Sequence, residues 1–593
     1  MSLTYIAPVD EIGFLLKNVV KLCDLPASTL TETSPDLLDA VLDEAKKLAG
    51  QVIAPTNRIG DEEGVHLDSD GDVQCPQSFI AAYQEYIAGG WAGLPFPEQF
   101  GGQGLPFTLS VAVQEMWHSA NMAWGLCPLL SQGAMEAILI NASDELKQTY
   151  LPPMIEGSWT GTMNLTEPDS GSDLSNIKTK AVFSEAHNAY LLSGQKIFIT
   201  WGDHQMADNI VHLVLARLPD APAGVKGISL FLVPKYLPDA NGDFTLKNDC
   251  RAFSLEKKMG IHASPTCVMS FGDQGGAVGY LVGELNRGLA CMFTMMNNAR
   301  LTVGLQGVSL CEAAYQQAVA YAFERKQGRA PGGQQSDLIV KHPDVQRMLM
   351  SMRALTEAGR TLAYIGCSQL DLAETAQTAE ERARYKRRAA LLTPIIKSWC
   401  TEAAQEVTSL NIQCHGGMGF IEETGAAQLA RDARILPIYE GTNGIQALDL
   451  VGRKITADKG LALEELIADL EQMLADIKLD SVLDSSLLED AKNAVALLTE
   501  VKNWVLNAGE LEVSGKAHEV LMLLGTVIAG CYSLLACHES QLSQELAPAF
   551  KQSKKITTEF YLRNILPRIA SCQVIVFKHQ FEYLEDAEEY FNL

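Results

Sequence analysis

The spacing of apolar residues changes character twice along this chain, and that limits the fold more than any other feature. From about Asp36 to Met154 apolar residues recur at helical intervals, in Leu37 to Val52 and again in Phe107 to Met122. Near Thr160 the texture becomes that of strands. Ile210 to Ala216 and Ile228 to Val233 are short apolar runs bounded by proline and glycine, and Tyr190 to Ile199 reads as a hairpin turning at Ser193-Gly194. Helical spacing returns at Gly288 and holds to about Ile455, and a further helical block, amphipathic in Leu461 to Ile477 and Ala491 to Val505, runs on to Leu593. Neither one sheet nor one bundle can satisfy both periods, so a β barrel or sandwich must interrupt a helical protein. The expected product is an α+β multidomain chain: an N-terminal extension 1–35, a helical domain 36–159, a middle β domain 160–285, a helical bundle 286–458 and an extra helical domain 459–593. A length of 593 residues exceeds what one hydrophobic core organises.

Charge narrows the partners. With 46 basic and 72 acidic residues the net charge is −26, which argues against nucleic acid as a ligand. The 13 cysteines are odd in number and show no CxxC pair and no His/Cys ligand spacing, so reduced cytoplasmic thiols are expected, without a metal site. Met1 to Val20 contains Pro8, Asp10 and Glu11 and lacks the basic start and small-residue cleavage site of a secretory signal. One apolar run, Val520 to Cys537, has membrane length, but it carries Gly525, Thr526, Gly530 and Ser533 and has no flanking Lys/Arg bias. A buried helix is expected there, not a span. The basic cluster Arg384 to Arg388 reads as a solvated helix face.

Four segments bear on chemistry. Met163 to Asp173 (MNLTEPDSGSD) offers small hydroxyl and glycine residues whose backbone N–H groups can approach an anion or a polar ring edge; alone it favours an ordinary Asx/Gly-rich turn. In Lys196 to Gly202 (KIFITWG), at a strand end, Phe198 and Trp201 can cover a flat cofactor and Thr200 can donate to it, although aromatics there are usually core. Tyr321 to Arg329 (YAFERKQGR) ends a helix, where cations complement the dipole and where Arg325 can instead grip a pyrophosphate. The fourth comprises Gln413 to Phe420 (QCHGGMGF) and Arg431 to Thr442 (RDARILPIYEGT). Its glycines permit close approach to a ligand, and burial of Glu440 in an apolar stretch would raise its pKa and make it a usable base. A Glu before Gly is more often a satisfied loop carboxylate, and His415 is more often packed than ligating.

Taken together and in this order, these segments resemble the acyl-CoA dehydrogenase family. Met163, Thr166, Glu167, Pro168, Gly171, Ser172 and Asp173 match its Met/Thr-Glu-Pro-Gly-Ser-Asp string. Gly90, Trp91, Gly93, Pro97, Glu98, Gly101, Gly102 and Gly104 match its glycine-rich connector, and Lys258 to Thr266 looks like its Met-Gly to Ser-Pro-Thr strand connection. The likeness covers about residues 35 to 455. The opening Tyr5 to Phe14 and the extra C-terminal helices resemble the large bacterial branch that includes 3-methylmercaptopropionyl-CoA dehydrogenases.

The resemblance implies FAD as cofactor. Thr166 and Thr200 would hydrogen-bond the flavin ring, with Phe198 stacked beside it where many relatives have Trp; Leu165, Gly171 and Ser172 would also bind the cofactor, Ser172 near the pyrophosphate and the CoA arm. Arg325 would reach the FAD pyrophosphate of a neighbouring subunit in a homodimer, Gln413 and Gly417 the adenosine side, and Thr442 the phosphates. Glu440 would be the catalytic base, with Ser172, Arg300, Tyr439 and Gly441 on the substrate side. Ala299 stands where some subfamilies carry the base, which leaves Glu440 without a competitor. The implied reaction is α,β-dehydrogenation of an acyl-CoA thioester to trans-2-enoyl-CoA in fatty-acid-type β-oxidation, with electrons passed to electron transfer flavoprotein. By alignment Trp124 to Met135 would line the acyl path. A specific 3-methylmercaptopropionyl-CoA dehydrogenase, an acyl-CoA oxidase using oxygen, a flavin monooxygenase or nitroalkane-type oxidase, and a non-catalytic scaffold are the rival readings.

Overall fold

The computed structural model describes residues 5–26, 30–333, 335–478, 482–579 and 591. The expectations for Met1 to Thr4 and for the helical block over 580–590 and 592–593 lie outside the described residues. The chain divides into two compact units, one built from residues 1–7, 43–106 and 116–299, the other from 8–42, 107–115 and 300–593.

In the first unit the helices Gln77–Ala88, Met122–Asn141 and Asp144–Glu156 lead into an eight-stranded sheet. Its strands are β1 Trp159–Asn164, β2 Lys180–Ser184, β3 Ala189–Thr200, β4 Asn209–Arg217, β5 Ile228–Pro234, β6 Cys250–Leu255, β7 Thr266–Phe271 and β8 Ala277–Val282. They lie in the order β6-β7-β3-β8-β5-β4-β1, and β2 pairs with both β3 and β4. The second pairing, Lys180 opposite Arg217, closes β2, β3, β8, β5 and β4 into a small barrel. Alternate apolar residues fill its interior, among them Ala181, Leu192, Val214, Phe231 and Phe271. On the opposite side Ala134, Ile138, Leu151 and Met154 of the helices pack with Val211, Leu213 and Leu215 of β4. One strand thus feeds two cores.

The hairpin expected at Ser193-Gly194 is not there. β3 runs unbroken through both residues, and the reversal falls earlier, between Ser184 and Ala189, where Asn188 takes a φ of 46°. Ser193 still pairs with Lys180 of β2, while Gly194 already pairs with Phe271 of β7. The glycine, at φ 150°, marks the bend at which β3 leaves one set of neighbours for another. A Cβ there would sit 2.7 Å from the Thr179 hydroxyl.

The second unit is a bundle of long helices. Gly288–Glu324 contributes its part from Arg300 onward and is joined by Pro343–Thr375 and Ala379–His415. At its centre the buried Arg360 guanidinium lies 2.6 Å from both Glu115 and Glu312, and the Tyr364 hydroxyl donates to Glu115 at 2.7 Å. The C-terminal block adds Leu461–Asp476, Ser485–Asn507, Ala517–Leu542, Pro548–Phe560 and Ile569–Lys578.

Ala517–Leu542 contains the long apolar run and is mostly buried within the protein. A second helix, Met122–Asn141, is shorter and less apolar but also of membrane length and equally buried, so Val520 to Cys537 is not alone in this respect. Trp399 of the bundle donates its indole N–H to Thr526 at 3.1 Å, and Tyr561 donates to the Thr526 carbonyl at 2.9 Å. Buried Lys554 bridges Glu11 and Glu357, the latter at 2.8 Å. The cluster Arg384 to Arg388 is not simply a solvated face. Arg384 and Arg388 bind the two oxygens of Asp469, and Arg387 binds Glu465, so the cluster fastens the Leu461–Asp476 helix to the bundle.

These contacts predict that ending the chain near Lys459 yields insoluble protein. The cut removes the partners of Trp399 and of three arginines and exposes a contiguous apolar face. Partitioning of the truncated chain between supernatant and pellet checks this, and a soluble, fully active product would contradict it.

Candidate functional site

In the first unit, the Leu165 to Gly171 segment leaves β1 and is folded back by one carboxylate. Glu167 and Ser170 exchange backbone hydrogen bonds at 3.0 Å, making Pro168-Asp169 a tight turn. The Glu167 carboxylate accepts from the Thr179 N–H at 3.1 Å, the Thr179 hydroxyl at 2.6 Å and the enclosed Lys196 ammonium at 2.8 Å. Lys196 also donates to the Leu165 carbonyl at 3.0 Å, and the Ile197 N–H donates to the Thr166 carbonyl at 2.9 Å. Two buried charges therefore hold Leu165 and Thr166 against the end of β3, each meeting the other's desolvation cost.

That strand end is strained. Phe198 and Trp201 have φ of 60° and 52°, a left-handed conformation unusual for aromatics. They serve opposite ends: the Phe198 ring is 59% exposed, whereas Trp201 is fully buried with its indole N–H on the Ala123 carbonyl at 3.2 Å. Of the two aromatics expected to cover a flat ligand, only Phe198 is free to do so, and Trp201 is core. Thr166 and Thr200 are half-buried and Gly171 and Ser172 exposed, with open space around Gly171. Two buried polar atoms nearby in sequence, Asn164 Oδ1 and Ser170 Oγ, have no hydrogen-bond partner.

In the second unit Arg325 follows the end of Gly288–Glu324, exposed and, among the described residues, in no ion pair within 4 Å. Its carbonyl accepts from the Ile339 N–H at 2.9 Å. His415 is packed, as read: its ring stacks on Tyr321 at 4.2 Å and its Nδ1 meets the Asn411 carbonyl at 2.8 Å. The stack sets the Gln413 to Gly417 stretch beside the helix end that carries Arg325. Gln413 and Gly417 are exposed, and nothing lies within 4 Å of a Cβ built on Gly417. An exposed arginine without a counter-ion beside open glycines, in so acidic a chain, suits a pyrophosphate.

Glu440 occupies a half-buried loop fixed by backbone and side-chain hydrogen bonds. The Asn443 N–H donates to the Pro437 carbonyl at 2.9 Å, and Thr442 caps the Asn443–Asp449 helix by accepting from the Ile445 N–H at 3.2 Å. Glu440 and Gly441 take φ of 55° and 85°, two left-handed residues in succession. The Glu440 carbonyl accepts from Arg300 Nε and Gln446 Nε2, each at 3.4 Å, and the Tyr439 hydroxyl donates to Gln306. Burial pushes the Glu440 carboxyl above its ordinary pKa, while Arg300 and Lys397 oppose that rise. A carboxyl so poised is a usable proton acceptor near neutral pH. Arg300, Tyr439, Glu440, Gly441 and Thr442 thus form one constellation. Arg300 is bound to the loop itself.

Three groups escaped the sequence reading. Lys397, wholly buried, donates to Asn443 Oδ1 at 2.8 Å, and burial pulls its ammonium down to about 7. Asn443 joins it to the loop. Glu136, pushed up to about 7 by burial, accepts from Asn298 at 2.7 Å. The available signal was a charge placed on the apolar stripe of a helix, Lys397 within Leu391 to Trp399 and Glu136 after Met135. On the latter helix Trp124 is enclosed, its indole N–H on the Phe79 carbonyl at 3.2 Å, among Tyr83 and Tyr86.

A helical lead, a small closed barrel and a long-helix bundle bearing a half-buried carboxylate in a strained loop are together the acyl-CoA dehydrogenase fold. The chain belongs to the acyl-CoA dehydrogenase family: it matches that family's N-terminal domain over residues 36–158, its middle domain over 162–274 and its C-terminal domain over 286–455. Residues 454–580 match the domain described as acetyl-CoA dehydrogenase C-terminal like. The chain is 45% identical to 3-methylmercaptopropionyl-CoA dehydrogenase of Ruegeria pomeroyi, across 95% of this chain and 96% of that protein. It is 34% identical to a butyryl-CoA dehydrogenase of Syntrophomonas wolfei, across 90% of each. Its fold matches that of a solved acyl-CoA dehydrogenase of Bacillus anthracis complexed with FAD, with a TM-score of 0.74, 22% identity and coverage of 97% and 94% of the two chains.

The loop geometry predicts that Gly441→Ala is costly. Its Cβ would adopt φ 85° and come 2.6 Å from Gln446 Nε2, displacing one of the two donors on the Glu440 carbonyl. A stability loss of about 1–3 kcal/mol is expected from the strain, together with a fall in activity. Denaturant titration and turnover of the variant check both.

Proposed function

We propose that this protein removes the α proton and the β hydride of an acyl-CoA thioester, giving trans-2-enoyl-CoA, with Glu440 as the base. The observation that carries the reading is the half-buried Glu440 carboxyl, raised above its ordinary pKa by desolvation and held by a loop that fixes its backbone. FAD, when bound, supplies the acceptor for the hydride. The residues fit such a group: an exposed Phe198 ring for a flat face, hydroxyls at Thr166 and Thr200 for its polar edge, and unpaired polar atoms at Asn164 and Ser170 close by in sequence. Leu165, Gly171 and Ser172 belong with them. Arg325 would hold the pyrophosphate, Gln413 and Gly417 the adenosine side and Thr442 the phosphates.

Glu440 takes the α proton. Its own backbone N–H would donate to the thioester carbonyl, where negative charge grows as the proton leaves. Tyr439 and Gly441 shape the substrate side of the second unit, Ser172 of the first unit is a further substrate-binding residue in this reading, and Arg300 acts by holding the loop. In this reading the electrons pass to electron transfer flavoprotein in a cytoplasmic, fatty-acid-type β-oxidation. The working form is a homodimer, in keeping with Phe420, which is 85% exposed near Gly416 and Gly417. The 45% identity to a 3-methylmercaptopropionyl-CoA dehydrogenase favours a second, narrower reading, a short thioether acyl-CoA as the substrate.

Anaerobic addition of acyl-CoA to the yellow protein should bleach it. Glu440→Gln should keep the cofactor but slow bleaching by about 10²–10⁴-fold, the range for a lost general base. Bleaching of the variant at a near-normal rate would remove the base assignment, and rapid recolouring of the reduced protein by oxygen would mark an oxidase.

Substrate range is measured by kcat/KM across saturated acyl-CoAs and 3-methylmercaptopropionyl-CoA. The Trp124 to Met135 stretch is largely apolar, and one methylene in an apolar pocket changes binding by only about 1–3 kcal/mol. Activity should therefore spread over neighbouring chain lengths. A single active length, with its neighbours lower by about a thousandfold, would contradict this.

A further inference from the structure

Lys397 is a buried lysine in an unusual setting. It sits in the Ala379–His415 helix with no exposed surface, and its ammonium donates to a neutral group, Asn443 Oδ1, at 2.8 Å. Among the described residues no carboxylate lies within 4 Å of it, unlike Lys196 and Lys554, the other enclosed lysines described above. Burying an ammonium without a counter-ion is expensive, so a lysine kept there points to a charge it serves at longer range.

Asn443 leads to that charge. Its side chain also donates to the Thr401 hydroxyl at 3.1 Å and the Glu402 carboxylate at 2.8 Å, both on the Lys397 helix, while its backbone N–H closes the loop on Pro437. The loop that carries Glu440 is therefore moored through Asn443 to Lys397, Thr401 and Glu402. The charged groups facing Glu440 are Arg300 from Gly288–Glu324 and Lys397 from Ala379–His415. Arg300 in turn answers to Asp449 and Arg453, and Lys397 to Glu440, Arg300 and Glu402.

We propose that Lys397 is a positioning residue for the dehydrogenation: held by Asn443, its ammonium is, with Arg300, a counter-charge that keeps the half-buried Glu440 carboxylate ionised and ready to accept the α proton. The proposal rests on Glu440 being the base. Its sign is definite. A nearby cation favours the ionised carboxylate, so deleting it makes Glu440 harder to ionise and leaves less of the active base at low pH. Arg300, the other cation acting on Glu440, remains in the variant, so the expected displacement is partial.

The test is the pH profile of anaerobic bleaching by acyl-CoA in the FAD-loaded full-length protein. Lys397→Gln keeps a donor for Asn443 and removes the charge. It should retain its cofactor, with the acid limb moved up by about one pH unit, which is a roughly tenfold slower reduction at pH values below the limb. Lys397→Met, which removes the charge without introducing another, should move the limb the same way, and it serves if Lys397→Gln fails to fold. An acid limb unmoved in whichever variant folds would overturn the proposal, because a merely structural lysine would alter stability or rate at all pH values alike. Glu440→Gln run in parallel separates the two ideas. Near-normal bleaching there would remove the base itself, whereas slow bleaching there with an unmoved limb in the Lys397 variant would remove only the role of Lys397.

Discussion

The helical unit depends on buried cations being matched across helices. Arg360 lies where three helices meet, and its buried guanidinium pairs with both Glu115 and Glu312. Desolvating these groups costs several kcal/mol each, and their mutual attraction returns that only when the geometry is right. The helices are thereby held in one register, because a slip along any of them would leave a charge unmatched. Lys554 repeats the arrangement between the C-terminal block, Glu357 of the bundle and Glu11 near the N-terminus. The apolar faces of Trp399 and Ala517–Leu542 supply most of the attraction there, and the ion pairs select which face meets which.

The same constraint shapes both functional regions on a smaller scale. The Glu167–Lys196 pair folds Leu165 and Thr166 onto the end of β3, and the strained φ of Phe198 leaves one ring exposed where its neighbours are core. Around Glu440 the balance is deliberately incomplete. Burial lifts the carboxyl, and two cations restrain it without forming a close pair. A tight ion pair would have made Glu440 too weak a base, and a wholly apolar pocket would have kept it protonated.

Much of this was legible along the chain. Period alone separated helices from barrel and placed the return of helix at Gly288, because burial of one face imposes the same spacing wherever it occurs. The glycine-flanked carboxylate at Glu440 and the lone arginine at Arg325 stood out as residue types in context. The errors share a cause. Ser193-Gly194 looked like a reversal, since the same dipeptide serves a turn or a bend between two pairings. Arg384 to Arg388 looked solvated because Glu465 and Asp469 lie some eighty positions further along. Trp201 looked like a cofactor cover because only Ile199 and Thr200 separate it from Phe198, and only the twist at that strand end sends one inward and the other out.

The sequence by itself determined the order and kind of the elements, the family and the short strings where chemistry is concentrated. These follow from spacing and residue type, which are local. The tertiary structure alone decided which charges are matched: Lys397 with Asn443, Arg360 with two glutamates, Lys554 with Glu11. A buried charge is tolerable only beside its partner, and partners hundreds of residues apart become neighbours only when the chain is folded.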